Sequence, residues 1–399
     1  MLPERKKAVT VGVVAIATYL ANYFLRHMLS VLTPTMLKVA AGSYDKEYIA
    51  LLSSLYMVAY AAGQLLNGVL GDIVDPKRLV LIGVAGGGLL CAAFPFLPRG
   101  IGQCICYALL GYGLSMVRGP LMKIISENTV PAHARLICVF FSFSSCAGPL
   151  VASLLALLFP WRAAFAVAGI LGVVLAAAGY VVLAVLQKRG LIGFRSARGS
   201  GLGGILQVFK IKGMPAFLLI TCVLGAFDGA VFFWIPTFLN EFAGLPETQA
   251  NMTFSVLSTL GALMPFFTLL LLKGLRGRDT LALWVAYAAQ AVSLVLLLMM
   301  PAGWGSAISL ALVMMTNSIA SALLWSIYIP TLGKTGRVSS INGVLDCLFY
   351  IAASAASSLS AWVNVHFGYR GLIGTWMIIP VLGLVAGVLK YRQDRKAEE

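Results

Sequence analysis

Residues 163–186 read AAFAVAGILGVVLAAAGYVVLAVL, a run of 24 residues without one charged side chain. Arg162 precedes the run, and Lys188 follows it closely. A helix of about 20 apolar residues crosses the roughly 30 Å hydrocarbon core of a bilayer. The stretch is therefore predicted to be a membrane-spanning helix with a basic residue near each end.

The composition extends this prediction to the whole chain of 399 residues. Hydrophobic residues make up 60% and charged residues 11%, whereas an ordinary soluble domain has about 25% charged residues. A soluble protein of this length cannot bury so much apolar surface, which excludes a soluble enzyme, a disordered chain and a secreted disulfide scaffold. The long apolar runs also argue against an outer-membrane barrel, because the strands of such barrels alternate polar and apolar residues. We predict an all-α membrane protein, because each helix satisfies its own backbone hydrogen bonds in lipid.

Eleven further stretches resemble residues 163–186 in length and apolar content, which gives twelve predicted transmembrane helices. The twelve predicted helices lie at 8–37, 48–70, 79–97, 102–126, 135–158, 163–186, 215–240, 249–272, 280–299, 305–332, 339–364 and 371–389. The even number requires both termini to lie on the same side of the membrane.

The basic residues predict which side that is. The net charge of +15 results from 29 Lys and Arg residues against 14 acidic ones. In the twelve-helix arrangement, 21 of the 29 fall on the side of the termini and three lie inside predicted helices. The five on the opposite side are Lys38, Lys46, Arg99, Arg162 and Arg370. Because cytoplasmic loops are enriched in Lys and Arg, we predict that both termini are cytoplasmic, that the protein lies in the cytoplasmic membrane and that it has no nucleic-acid partner.

A basic, glycine-rich stretch divides the chain into halves of six helices each. We predict an N-terminal six-helix bundle at 1–186, a cytoplasmic linker at 187–214, and a C-terminal bundle with a short cytoplasmic tail at 215–399. Four glycines and a serine between residues 199 and 204 suit a flexible connection.

The two halves share a sequence pattern. In the first predicted helix Arg26 precedes Pro34 by eight residues, and in the seventh Asp228 precedes Pro236 by the same distance. Two parallel six-helix pseudo-repeats are an architecture of secondary transporters, whose substrate site lies between the repeats near the middle of the bilayer.

Two short segments resemble a known superfamily. Residues 68–78, GVLGDIVDPKR, resemble the signature loop of the major facilitator superfamily, and residues 160–162, PWR, are also similar to sequences found there. The resemblance implies a fold of two six-helix bundles and transport by alternating access. In that superfamily the loop stabilises one conformation through charge pairing. The resemblance therefore assigns Asp72, Asp75 and Arg78 to gating.

A narrower resemblance concerns the first and seventh helices. Residues 22–27, NYFLRH, resemble the Tyr-Tyr-x-x-Arg-Lys pattern of the organophosphate:phosphate antiporter family, and residues 234–241, WIPTFLNE, resemble its Trp-Ser-Pro-Thr-Tyr-Leu-x-Glu run. Members of that family exchange phosphate esters for inorganic phosphate across the bacterial inner membrane. The resemblance implies an anion-binding role for Arg26. The second arginine of the family aligns with Asp228, so this chain has a carboxylate where the family has a cation.

Charged residues inside predicted membrane helices indicate function, because a charge at the bilayer centre costs at least about 2.5–3.5 kcal/mol on insertion scales. A polar stripe at helical spacing runs along the first helix, comprising Tyr19, Asn22, Tyr23, Arg26 and Ser30. The arginine fork binds both oxygens of a carboxylate or phosphate. We predict that Arg26, Asn22 and Tyr23 contact the substrate, the alternative being a structural pair at Arg26. His27 points about 100° away around the helix and is left outside this site.

Two carboxylates within predicted membrane helices are candidates for proton coupling. Asp228 in the seventh helix is a proton-coupling site, a substrate-binding group for an ammonium, or the partner of Arg26; the sequence leaves these three open. Asp346 in the eleventh helix is a second proton-coupling candidate, and its alternative is a hydrogen bond between helices.

Four further residues complete the predicted site. Arg118 in the fourth helix is a candidate second cation for an anion, or a gating or packing residue. Lys123, near the cytoplasmic end of that helix, is assigned to gating. Tyr60 and Trp325 are candidates for lining the substrate cavity, and their alternative is a role in packing or in the interfacial aromatic belt.

The sequence thus predicts a secondary transporter for a small organic anion, phosphorylated or carboxylated. The alternatives are a proton-coupled multidrug or zwitterion transporter, which Gly148-Pro149 favours weakly, and a membrane receptor with a transporter fold. The sequence contains no nucleophile–base or nucleotide-binding motif, so we expect no enzyme activity, catalytic residue, metal or cofactor. The expected partners are the bilayer, the substrate, and a proton or counter-anion, and we expect a monomer.

Overall fold

The computed structural model describes residues 4–39, 44–194, 203–211, 213–299 and 303–398. Residues 195–202 and Lys212 of the predicted linker lie outside these ranges. The helices of the described residues are α1 (Glu4–Val39), α2 (Lys46–Ile73), α3 (Pro76–Ala93), α4 (Ile101–Leu114), α5 (Arg118–Asn128), α6 (Pro131–Leu158), α7 (Trp161–Lys188), α8 (Gly203–Val208), α9 (Met214–Ala230), α10 (Ile235–Glu241), α11 (Glu247–Gly274), α12 (Asp279–Met299), α13 (Trp304–Ala322), α14 (Ile329–Thr331), α15 (Val338–Trp376) and α16 (Ile378–Glu398).

The predicted membrane-spanning architecture is confirmed. Within the described residues, eleven helical stretches are long and apolar enough to cross a bilayer. The last of them, Val338–Gln393, contains 56 residues, far more than one crossing needs. Gly368 interrupts it with a φ of 65° and a ψ of −169°, a backbone conformation that favours glycine. The stretch therefore provides two spans, which brings the total to the twelve predicted from the sequence.

The chain forms two compact units. Unit 1 comprises Met1–Val208 and Ile329–Val344, and unit 2 comprises Phe209–Tyr328 and Leu345–Glu399. Residues 329–344, which end the tenth span and open the eleventh, thus pack with unit 1 although they belong to the second half of the sequence. The division predicted at 187–214 assigns every residue after 214 to the second bundle, because it follows chain order alone. It therefore does not predict that residues 329–344 pack with unit 1.

Small residues bring the helices of unit 1 together. The helix α1 packs against α6 and α7, α3 packs against α7, and α2 packs against α4. A Cβ atom at Gly88 would lie 2.6 Å from the carbonyl oxygen of Gly169, which is too close for any larger residue. Close backbone approach at glycine is a common source of helix association in membranes.

Unit 2 repeats one feature of unit 1 at corresponding positions of the sequence. In unit 1, Trp161 of the PWR segment lies edge-on to Tyr44, with 5.8 Å between the ring centroids. In unit 2, Tyr369 follows Gly368, donates a hydrogen bond to Glu241 and lies 5.5 Å from the ring of Phe238. In each unit an aromatic residue at the start of the sixth helix of its half therefore packs on the end of the first helix or on the segment that follows it.

Three spans depart from regular α-helix. The fourth span is interrupted at residues 115–117, between α4 and α5, and the seventh at residues 231–234, between α9 and α10. The tenth span, which corresponds to the fourth in the repeat, contains a π-helical turn at Leu323–Tyr328. Interrupted spans and π-turns occur frequently at functional sites.

Candidate functional site

A cavity of about 430 Å³ lies in unit 1 between α1, α2 and α4. Its lining combines one guanidinium, an imidazole, several hydroxyl groups and three apolar side chains. The lining residues are Arg26, His27, Leu29, Ser30, Thr33, Ile49, Ser53, Tyr56, Met57 and Tyr107. Its volume lies within the roughly 300–1,000 Å³ that small-molecule sites occupy.

Arg26 is the charged centre of this cavity. It lies 13 residues before the end of α1 at Val39, or about 20 Å along the helix axis. Its Cζ atom lies 4.9 Å from the ring centroid of Tyr60, a cation–π arrangement. Its Nη2 atom lies 3.9 Å from the Sδ atom of Met57. Tyr60, which is 4% exposed, therefore places a buried aromatic ring against the guanidinium.

The predicted polar stripe of α1 divides into two parts. Arg26 and Ser30 line the cavity together with His27, which the sequence analysis left outside the site. Tyr19 and Tyr23 instead approach each other, with their hydroxyl oxygens 3.5 Å apart. Tyr19 also stacks on Phe141 with 3.7 Å between centroids. Tyr23 stacks parallel to His27 at 6.2 Å, so it adjoins the cavity without being among its lining residues.

Asn22 has a structural contact that the sequence did not reveal. It is 2% exposed, and its Nδ2 atom donates to the carbonyl oxygen of Leu114 at 2.7 Å. Leu114 is the last residue of α4, where the fourth span is interrupted. Asn22 is not among the lining residues of the cavity, and its amide supplies a donor that the interrupted helix lacks.

Arg118 lies at the start of α5, immediately after the interruption. It is half-buried and interacts electrostatically with Tyr19 and Cys138. Tyr19 precedes Arg26 by seven residues on α1, which corresponds to about 10 Å along the axis. Arg118 is not among the lining residues of the cavity, so the structure does not bring the two predicted anion-binding cations together there.

The predicted gating residues include a buried ion pair. The Nζ atom of Lys123 lies 3.1 Å from Oδ1 of Asp72 and also donates to the carbonyl oxygen of Gly336 at 3.1 Å. Asp72 in addition accepts hydrogen bonds from the backbone N–H groups of Ser339 at 3.2 Å and Ser340 at 2.7 Å. These N–H groups belong to the first turn of α15, where helices attract negative charge. Asp72 and Lys123 thus hold residues 329–344 within unit 1.

The other two predicted gating residues lie outside this cluster. Asp75 forms an ion pair with Lys77, and its Oδ1 atom accepts from the backbone N–H of Lys77 at 3.2 Å. This contact caps the start of α3. Arg78 is exposed. The fourth span contributes one more carboxylate to the cluster, because Oε1 of Glu127 lies 3.8 Å from Nζ of Lys123.

The candidates of unit 2 lie on three of its helices. Asp228 is exposed on α9, two residues before that helix ends. The neighbouring residues Gly225 and Gly229 pack against the backbone of α15. Asp346 is 2% exposed on α15, and Trp325 is 8% exposed within the π-helical turn.

The same turn contains residues that the sequence analysis did not single out. Tyr328 stacks on Phe217 with 5.5 Å between centroids. The Nζ atom of Lys390, which is 7% exposed, lies 4.8 Å from the Tyr328 ring. Lys390 directly follows the predicted twelfth span at 371–389 and was counted with the basic tail, so the sequence did not mark it as a buried residue. Among the described residues, no group of three His, Cys, Asp or Glu side chains is arranged to hold a metal ion.

Comparisons with known proteins agree with this architecture. A curated protein of Bacillus subtilis (strain 168), named "Uncharacterized MFS-type transporter YwoD", is 24% identical over 227 residues, which are 54% of this chain and 46% of that protein. The chain thus aligns with about half the length of this relative. A crystal structure of a bacterial homologue of the iron transporter ferroportin has a TM-score of 0.72 and 16% identity over 96% of this chain and 99% of that one.

The human organic anion transporter MFSD10 (TETRAN) has a TM-score of 0.65 and 16% identity over 97% of this chain and 100% of its own. At these identities the solved structures establish a shared fold. The family model described as "Major Facilitator Superfamily" matches residues 15–354, which include most of the first span, the other five spans of the first half, and most of unit 2. The chain therefore belongs to the major facilitator superfamily.

Proposed function

We propose that this protein is a secondary transporter that moves a small organic anion across the cytoplasmic membrane by alternating access. The observation that carries the proposal is the position of Arg26, a guanidinium within a membrane-spanning helix that lines a cavity. A charge at membrane depth costs at least about 2.5–3.5 kcal/mol on insertion scales, and such residues usually mark a substrate or ion pathway.

The chemistry of the cavity favours an anion. Arg26 supplies a permanent positive charge and a planar fork that matches two oxygens of a carboxylate or phosphate. Neither Asp nor Glu occurs among the described residues that line the cavity. Ser30, Thr33 and Ser53 add hydroxyl groups that can donate to further oxygens. A lipophilic cation would be repelled here.

The fold does not determine which substrate the protein transports. The two solved relatives named above are described as an organic anion transporter and as a homologue of an iron transporter. One fold thus serves chemically different substrates, and the substrate must be inferred from the residues of the site. The choice between a phosphorylated and a carboxylated anion is therefore part of the proposal.

The cluster at Asp72 and Lys123 supports the alternating-access part of the proposal. Residues 329–344 are held in unit 1 by hydrogen bonds and an ion pair that are discrete and can be broken together. A contact of this kind gives a transporter two distinct arrangements, and a ligand that binds one of them better shifts the population toward it. We assign Asp72 and Lys123 to the gate, with Asp75 and Arg78 at its edge.

Coupling to protons is a second part of the proposal, with Asp228 and Asp346 as its candidates. The alternatives remain a multidrug or zwitterion transporter and a receptor. A binding screen of the purified protein separates them, because a ligand of the native state raises apparent stability. We expect stabilisation by organic anions, its loss in Arg26→Gln, and no stabilisation by lipophilic cations. Stabilisation by cations alone, or an Arg26→Gln variant that binds anions normally, would refute the anion proposal.

A further inference from the structure

We propose that the cavity at Arg26 takes a singly charged carboxylate with an apolar or aromatic body, in preference to a phosphate ester. This inference rests on the proposed function, because it names the class of organic anion that the site accepts. Three properties of the cavity carry it: its positive charge, the support of its guanidinium and the nature of its walls.

The positive charge of the cavity matches one negative charge. Arg26 is the only Lys or Arg among the described residues that line it, and His27 is the only other lining group that can become cationic. An unperturbed imidazole is largely neutral above pH 7. Arg118, which interacts electrostatically with Tyr19, is not among the residues that line the cavity. A phosphate monoester carries nearly two negative charges at pH 7, one more than Arg26 neutralises.

The fork of Arg26 favours a planar group. The Cζ atom of Arg26 lies over the Tyr60 ring, 4.9 Å from its centroid, so a cation–π contact holds the guanidinium in place. The N–H groups of a guanidinium form a planar fork, and a carboxylate accepts two parallel hydrogen bonds from it. A tetrahedral phosphate has a third oxygen outside this plane, which would have to be met by neutral donors of the lining, such as Ser30, Thr33 and Ser53.

The walls of the cavity favour an apolar body. Leu29, Ile49 and Met57 contribute apolar surface, and Tyr56 and Tyr107 contribute rings. The Sδ atom of Met57 lies 3.9 Å from the Arg26 guanidinium, so apolar surface begins directly beside the charge. An apolar or aromatic group attached to the carboxylate would gain free energy by leaving water here. The polyhydroxylated body of a sugar phosphate would lose hydrogen bonds to water against these walls.

Three matched probes test the inference: phenylacetate, phenyl phosphate and benzyl alcohol. They share a benzene ring and differ in charge and in the geometry of the oxygen-bearing group. Calorimetric titration of the purified protein at pH 7.5 should give phenylacetate an affinity at least tenfold higher than that of phenyl phosphate. Benzyl alcohol should bind at least tenfold more weakly than phenylacetate, because it lacks the charge that Arg26 neutralises.

Two variants and one control complete the test. Arg26→Gln should lower phenylacetate affinity at least tenfold, and Met57→Asn about threefold to tenfold. Arg162→Gln, the same charge removal beside Trp161 and away from the cavity, should leave it within twofold. Thermal unfolding of each variant without ligand reports whether it is folded.

The outcomes separate this inference from the proposed function. Tighter binding of phenyl phosphate than of phenylacetate, with dependence on Arg26, would overturn the carboxylate inference and leave the organic-anion transporter in place. Equal binding of phenylacetate in Met57→Asn and in the parent protein would overturn the role of the apolar wall. Failure of both anions to bind, or binding that Arg26→Gln leaves unchanged, would overturn the proposed function itself.

Discussion

Lys123 and Asp72 form an ion pair whose side chains are both 1% exposed, with 3.1 Å between Nζ and Oδ1. Asp72 also accepts two backbone N–H groups from the start of α15. A buried ion pair gains little over apolar packing, but removing one partner strands the other charge and costs about 3–5 kcal/mol. The pair therefore makes the attachment of residues 329–344 sensitive to a single charge.

Removal of the Asp72 charge should release this attachment. Asp72→Asn leaves Lys123 with Glu127 as its remaining carboxylate and weakens the contacts to Ser339 and Ser340. We expect a cysteine placed at Ser340, on a background without native cysteines, to react with a thiol reagent at least fivefold faster in Asp72→Asn. Asp75→Asn removes an equal charge from the neighbouring Lys77 pair and should change the rate less than twofold. Equal rates in the two variants would contradict the gating role of Asp72.

Tyr60 should contribute to anion binding without touching the anion. Its ring lies against Arg26, and a cation–π contact contributes about 0.5–2 kcal/mol, or about a factor of 2 to 30 in affinity. Tyr60→Leu should weaken the binding of the stabilising anion by that factor, measured by titration calorimetry. Tyr60→Phe keeps the ring and should stay within twofold of the parent. A Tyr60→Phe variant as weak as Tyr60→Leu would indicate a role for the hydroxyl instead.

Asn22 should affect stability more than substrate binding. Asn22→Ala leaves the carbonyl group of Leu114 without its side-chain donor, and an unpaired buried polar group costs about 1–3 kcal/mol. We expect a lower Tm in detergent and an anion affinity within threefold of the parent. Thr10→Ala, which removes an exposed hydroxyl bonded to its own helix, serves as a control with little change in Tm. A loss of affinity at unchanged Tm would instead support the contact with substrate predicted from sequence.

The link between Asp45 and Arg99 should make stability depend on acid. The backbone N–H of Tyr48 and then the Arg99 guanidinium stabilise the carboxylate, and they hold the pKa of Asp45 below its usual value, which is about 3.9. A pKa that is lower in the folded protein gives a stabilisation that is complete above the unfolded-state value and is lost as pH falls through the folded-state value.

The Tm difference between the parent and Asp45→Asn should accordingly be constant from pH 5 to pH 8 and shrink below about pH 3.9. Thermal unfolding over this pH range checks it. Arg99→Gln removes the partner and should reduce the same acid-dependent difference. A difference that grows as the solution is acidified would contradict the assignment.

Asp228 should report whether transport is coupled to protons. Our prediction from the repeat is that Asp228 and Arg26 approach each other in at least one transport state, and that an arriving anion frees the carboxylate to take up a proton. By linkage, low pH would then tighten anion binding. In Asp228→Asn we expect affinity to survive without its pH dependence, counterflow to continue and uphill uptake to stop.

The alternatives give different results in the same Asp228→Asn variant. If Asp228 contacts an ammonium group of a zwitterionic substrate, affinity itself should collapse at every pH. If uphill transport continues unchanged, Asp228 has a role in packing alone. Uptake into proteoliposomes with and without a pH gradient distinguishes the three.

The spans and Arg26 were predictable from sequence because each depends on nearby residues alone. An apolar run has the length that a bilayer requires, and a charge inside it is visible directly. The role of Asn22 was not predictable, because its partner Leu114 is 92 residues away. The contribution of Ser53, Met57 and Tyr107 depends on which faces of α2 and α4 turn toward α1, and tertiary packing decides that.

Two further differences have physical causes. His27 was left out of the predicted site because its side chain leaves α1 about 100° away from that of Arg26. Both residues nevertheless line the cavity, which extends around this part of the helix. The exchange of residues 329–344 into unit 1 follows from Asp72 and the N–H groups of Ser339 and Ser340. A hydrogen bond to a backbone N–H leaves no signature in side-chain composition.

The interruption of the fourth span has a consequence for how the chain enters the membrane. The N–H of Met116 bonds to the carbonyl of Gly113 at 3.0 Å, so the carbonyl of Tyr112 loses its regular donor. Ser115 of the same span donates to that carbonyl at 2.6 Å, and Asn67 donates to the Ser115 hydroxyl at 2.7 Å. Asn22 donates to the carbonyl of Leu114.

Both asparagines belong to spans made earlier in synthesis. Lipid offers no donors to an interrupted helix, so the hydrogen bonds that Asn22 and Asn67 supply to the fourth span form only once the first two spans stand beside it. Biogenesis of this protein is therefore ordered by its own sequence: the helices that complete the broken one leave the ribosome before it does.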